Sequence, residues 1–105
     1  METNSKALLK SEIDYQDNSV VSKVILKKQS GNITLFAFDK DEMLSPHSAP
    51  YDAVVYVVDG IAEIMIGETF HNLTEGEVII MPANIVHSVK AVEKFKMLLT
   101  MIKSA

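Results

Sequence analysis

The sequence predicts an all-β barrel or sandwich, from three features of its patterning. Short runs rich in β-branched and aromatic residues recur at close, regular intervals. Glycine, proline and asparagine punctuate them, and no apolar pattern of helical period is long enough to demand a substantial helix. The 105 residues suffice for one core and are too few for two domains of ordinary size, so one domain is expected over 1–105.

In order, residues 1–12 are expected to form a helical turn or two, or a loose arm. Asn4 or Ser5 would be the cap, and Leu8 and Leu9 the apolar contacts. The β-branched Val20, Val21, Val24 and Ile25 predict a strand from Val20 to Lys28, ended by the turn chemistry of Ser30-Gly31-Asn32. A second strand follows from Ile33 to Phe38. It carries Ile33, Leu35 and Ala37 on one face and Phe36 and Phe38 on the other, so both faces need cover. Asp39 to Glu42 reads as a turn, and Met43 to Ala49 as an irregular strand because Pro46 and Pro50 restrict its backbone and withhold two ladder donors. Val54 to Val58 ends in the hairpin signal Asp59-Gly60, with Ile61 to Ile66 returning. Gly67-Glu68 and Glu75-Gly76 then bracket a short strand from Thr69 to Leu73, before the run Glu77 to Met81. A final strand, Lys94 to Ile102, is again apolar on both faces. Two doubly apolar strands predict a homodimer, with Phe36, Phe38, Leu98 and Ile102 in the covered patch.

Composition excludes several classes. At 48% hydrophobic and 23% charged residues the chain is not expected to be disordered, and no apolar run reaches the ~18 to 20 residues of a membrane helix. The N-terminal METNSKALLKSE lacks a signal-peptide core, which predicts a cytoplasmic protein. A net charge of −4, with Lys27-Lys28 the one adjacent basic pair, argues against nucleic acid. With no cysteine, disulfides and thiolate chemistry are excluded, which leaves histidine and carboxylate as ligands. No serine sits on a nucleophile elbow, and the four glycines are scattered turn residues rather than a phosphate loop.

All three histidines and all three prolines fall between Asp41 and Ala91. Within that window Asp41, five residues, His47, Ser48, Ala49, three residues, Ala53, six residues and Gly60 form one block. Gly76, five residues, Pro82, Ala83, Asn84, two residues, His87, three residues and Ala91 form a second. Together the blocks resemble the paired motifs of small single-domain cupins, the first over 41–60 and the second over 76–91. The resemblance implies a jelly-roll barrel, the cupin double-stranded β-helix. The spacing holds throughout, while Asp41 and Asn84 stand for glycines, Ala49 for a histidine, Ala53 for the glutamate and Ala91 for the asparagine.

In that family two histidines and the glutamate of the first motif, with the histidine of the second, hold a divalent metal such as iron, manganese, nickel or zinc. By the resemblance only His47 and His87 remain as metal ligands here. Two imidazoles undersupply a catalytic site, so hydrogen-bonded cavity histidines are the plainer reading. His71 would complete a three-histidine set if it turned inward; a partly exposed strand residue is the plainer alternative. Asp52 should point away from the face of Ala53. Alanine at 49 and 53 enlarges and dries the barrel mouth, which predicts an apolar ligand cavity bounded by His47, Ala49, Ala53, Val55, Val57 and His87. Met81, Met97 and Met101 would contribute to it, or simply pack. Two functions stay open: a non-enzymatic barrel that binds or senses a small molecule, and a metal-dependent dioxygenase or isomerase with an unusual histidine site.

Overall fold

The computed structural model describes residues 1–103 and is built almost wholly of antiparallel strands. These are β1 (Val20–Lys28), β2 (Gly31–Phe38), β3 (Met43–His47), β4 (Tyr51–Asp59), β5 (Ile61–Ile66), β6 (Thr69–Thr74), β7 (Val78–Met81), β8 (His87–Ala91) and β9 (Phe95–Lys103). One sheet has the order β1-β2-β9-β4-β7 and the other β3-β8-β5-β6. Their facing sides close a jelly-roll barrel.

Alternation decides what fills it. Ala53, Val55 and Val57 on β4 pair with Met101, Leu99 and Met97 on β9, so both sets face inward and join Phe38, Ile64, Val89 and Phe95 in one core. Phe38 and Phe95 stack with centroids 4.5 Å apart. Two turns need glycine or a tolerant substitute. At Gly60 φ is +81°, and a Cβ would collide with the Lys94 carbonyl oxygen. Asp41 (φ 70°) and Asn84 (φ 66°), which stand where the motifs carry glycine, keep the left-handed backbone, a conformation these two side chains tolerate.

The doubly apolar strands have a different explanation from the expected dimer patch. Phe36 pairs with Met97 and Phe38 with Phe95, so both phenylalanines belong to the barrel interior, whereas Leu35 pairs with Leu98 on the outer face. Part of that outer face is covered within the chain. Ile13, 6% exposed, packs with Leu35, Ala37 and Val58, and Leu9 and Tyr15 pack beside it. The N-terminal segment is thus a docked arm with a single 3-10 turn at Leu9–Ser11, preceded by Leu8 without any side-chain cap. Tyr15 donates to Asp59 (2.7 Å), and the buried Lys96 ammonium donates to the Lys10 carbonyl while lying 4.9 Å from the centre of the Tyr15 ring. Lys10 in turn pairs with Glu75.

One strand, β8, was not expected from the sequence, where His87-Ser88-Val89-Lys90-Ala91 is short and carries a single β-branched residue. It nonetheless alternates buried and less buried positions between β3 and β5. Among the described residues no helix is long and apolar enough to cross a membrane.

Candidate functional site

The site lies at the end of the barrel where β3 and β8 meet. His47 closes β3 and His87 opens β8, and the two are direct cross-strand partners after an irregularity in β3 between Leu44 and His47. Directly paired residues share a sheet face. Their rings meet edge to face, centroids 4.5 Å apart, and both bound a cavity of about 120 Å³ between the sheets. Leu44 and Val89 line the same sheet as the histidines. Across from them stand Ala53, Met81, Leu99 and Met101, with Met97 deeper, while Ala49 and Tyr51 flank the mouth.

The histidines are oriented by their own backbone. His47 Nδ1 is 2.8 Å from the Ser45 carbonyl oxygen, and His87 Nδ1 is 3.2 Å from that of Ile85. A carbonyl can only accept, so each Nδ1 carries a proton and donates it, and each neutral ring keeps an unprotonated Nε2. Desolvation, then the neighbouring His47, holds the His87 pKa below its ordinary value, which favours that neutral ring. The lining contains no carboxylate and no ammonium group.

The loop after β7 shapes the mouth. Asn84 N–H donates to the Ala49 carbonyl (2.8 Å), and Ala83 N–H donates to Asp52 Oδ1 (2.9 Å). Asp52 therefore braces the loop from the outer face, as strand parity requires, and takes no part in the cavity.

Of the residues singled out from sequence, His47, Ala49, Ala53 and His87 bound one cavity. Val55 and Val57 do not: they share the inward parity of Ala53 but sit farther along β4, fully buried in the core. Period two specifies a face and says nothing about depth. His71 is also apart. It pairs with Ile64 on β5, next to Val89 on β8, so it lies two strands and one row away from His87, and it is exposed. Tyr51 and Leu44 were missed. Leu44 sits three positions before His47, and the β3 irregularity sets both on one wall against simple alternation; Tyr51 shares the inward parity of Ala53, two positions on, but precedes the apolar run that marked β4.

These donors fit a divalent metal of the kind the two-motif resemblance implies only poorly. Two neutral imidazoles bring no charge, the positions expected to supply further ligands are Ala49 and Ala53, and among the described residues no three His, Cys, Asp or Glu side chains cluster as a metal site. A jelly-roll barrel with a histidine pair at its mouth defines the class of protein. A cupin-domain family profile matches residues 34–103, and the chain belongs to the cupin family.

Solved structures agree. A conserved Streptococcus pyogenes protein of unknown function is 35% identical with a TM-score of 0.94, covering 100% of this chain and 92% of that one. A cupin 2 conserved barrel domain protein from Leptotrichia buccalis is 39% identical with a TM-score of 0.83; the alignment covers 87% of this chain and 44% of the other. A cupin superfamily protein from Desulfitobacterium hafniense shares the fold at a TM-score of 0.92 and 24% identity, over 99% of this chain and 95% of that one. No curated protein matches the sequence.

Proposed function

We propose that this cupin is a non-enzymatic binding or sensing barrel whose cavity takes a small, mostly apolar molecule. The carrying observation is the lining: two imidazoles and the Tyr51 phenol border a cavity whose other lining side chains are aliphatic or thioether, with no charged residue among them. Such a cavity favours a neutral ligand bearing an O–H or N–H group, because an imidazole Nε2 at its mouth can accept a hydrogen bond while the apolar lining disfavours a charge. Size sets a second limit. A cavity of about 150 Å³ accommodates benzene, so 120 Å³ suits about five or six non-hydrogen atoms.

Titration of the metal-free protein with a series of short primary alcohols, followed by protein NMR, tests this reading. Butanol-sized members should bind with a dissociation constant on the order of 1 mM, consistent with about 1 kcal/mol per non-hydrogen atom. Ala53→Leu should fill the space and abolish binding. Equal binding by that variant, or no binding by any alcohol, would overturn the reading.

A homodimer also belongs to this proposal, with Phe36 and Phe38 removed from the expected patch while Leu98 and Ile102 stay on the outer face, Ile102 exposed. Leu26, Ile33, Thr100, Val54 and Ile80 form one row across all five strands on the outer face, and the arm leaves this row open. Ile80 at 61% and Leu26 at 43% exposure mark its two ends, and a second copy is the partner that would cover it.

A further inference from the structure

We infer that Tyr51 is the specificity-determining residue of the cavity and that it selects a small hydroxyketone, whose hydroxyl meets an imidazole and whose carbonyl oxygen meets the phenol. The inference deepens the binding role proposed above and rests on it. Tyr51 opens β4 with the inward parity of Ala53 and borders the cavity. Among the described residues its hydroxyl has no hydrogen-bond partner, in contrast to that of Tyr15, which is taken by Asp59. No buried side-chain polar atom among those residues lacks a partner, so the Tyr51 oxygen is one that solvent or a ligand can reach.

Donors and acceptors along the lining decide the ligand class. His47 and His87 each direct their ring N–H to a backbone carbonyl, so toward the cavity both can only accept. The remaining lining side chains apart from Tyr51 are aliphatic or thioether, which leaves the phenol O–H as the one side-chain group able to donate there. A ketone oxygen accepts and never donates, so among these side chains only Tyr51 can satisfy it; an alcohol needs an acceptor, which the imidazoles supply. The two kinds of group also come from different walls. Tyr51 stands on β4 in one sheet and the histidines on β3 and β8 in the other, and facing sheets lie about 10 Å apart. A molecule with its two oxygens on neighbouring carbons can address both walls at once, and it brings no charge into an uncharged lining. Hydroxypropanone, the smallest such ketone, falls within the size limit of the cavity.

Metal-free protein is titrated with hydroxypropanone and, separately, with 1-butanol, and followed by protein NMR. The wild type should bind both. Tyr51→Phe keeps the ring and removes only the hydroxyl, so it should weaken hydroxypropanone binding about three- to tenfold, the weight of one lost hydrogen bond, and change butanol affinity by less than about twofold. In the wild type the Tyr51 Cζ resonance should move with hydroxypropanone and stay in place with butanol, a readout that needs no variant. Unchanged hydroxypropanone affinity in Tyr51→Phe, an equal loss for butanol, or a Tyr51 Cζ resonance indifferent to bound hydroxypropanone would overturn the inference. Butanol binding without hydroxypropanone binding sinks only the selection by Tyr51; absence of both sinks the binding role itself.

Discussion

Asp41 and Asn84 show how a motif keeps its geometry after losing its residues. Both hold positive φ, and both make backbone contacts that join distant strands: Asp41 N–H donates to the Ala91 carbonyl (2.9 Å), and Asn84 N–H to that of Ala49 (2.8 Å). Replacing either with glycine removes a modest left-handed strain and adds unfolded-state freedom. Each substitution should therefore shift stability by less than about 1 kcal/mol. Gly60→Ala is the opposite case, since its Cβ would strike backbone, and it should destabilise by on the order of 3 kcal/mol or more. Urea unfolding of the three variants checks the contrast; a tolerated Gly60→Ala would show that the β4–β5 turn is not as tightly held. At this scale the sequence was most informative where spacing fixed which residues share a region. His47, Ala49, Ala53 and His87 were legible for that reason. Val55 and Val57 were misplaced because alternation carries no depth; Leu44 was missed because its place on the wall depends on the β3 irregularity, and Tyr51 because it lies before the apolar run that marked β4.

Among the elements, the N-terminal arm departs furthest from its sequence reading. Its key residues, Ile13 and Tyr15, belong to no strand or helix, so no period marks them. Ile13→Ala should cost about 2 to 5 kcal/mol, the range for deleting a buried aliphatic side chain. The arm's latch also gives a pH dependence. Burial, then the Asp59 hydrogen bond, raises the Tyr15 pKa far above its ordinary 10.0; Glu75 raises that of Lys10 above 10.5. In both cases the folded chain binds more protons than the unfolded chain once pH exceeds the unfolded value. Their contribution to stability is thus complete below about pH 10 and is lost as pH rises beyond it. Tyr15→Phe should reduce the slope of the alkaline decline in melting temperature. An unchanged slope would mean that Tyr15 is not the group responsible. The strand pattern was otherwise largely legible from β-branched runs and turn residues, apart from β8, whose few apolar positions only become a strand between β3 and β5.

At the level of the whole molecule, the two apolar faces of β2 and β9 were visible in the sequence, but their occupants were not. The inner faces fill the barrel, the arm covers part of the outer face, and the row ending in Ile80 is left open. Ile80→Asp should shift the protein toward monomer in sedimentation at micromolar concentration without altering the barrel, because the side chain lies on an edge strand facing out. A wild-type monomer would contradict the dimer. Phe36→Asp is not an equivalent probe, since Phe36 packs against the barrel core.

The central claim is that His47 and His87 present paired, unprotonated Nε2 atoms to the cavity. Long-range proton–nitrogen NMR of the metal-free protein above pH 7 tests it most directly, since it distinguishes the two tautomers of each ring and reports what each nitrogen meets. The account expects both rings to be protonated at Nδ1, with both Nε2 resonances moving when a short alcohol is added. Protonation of either neutral ring at Nε2, or Nε2 resonances indifferent to an alcohol that binds, would contradict it.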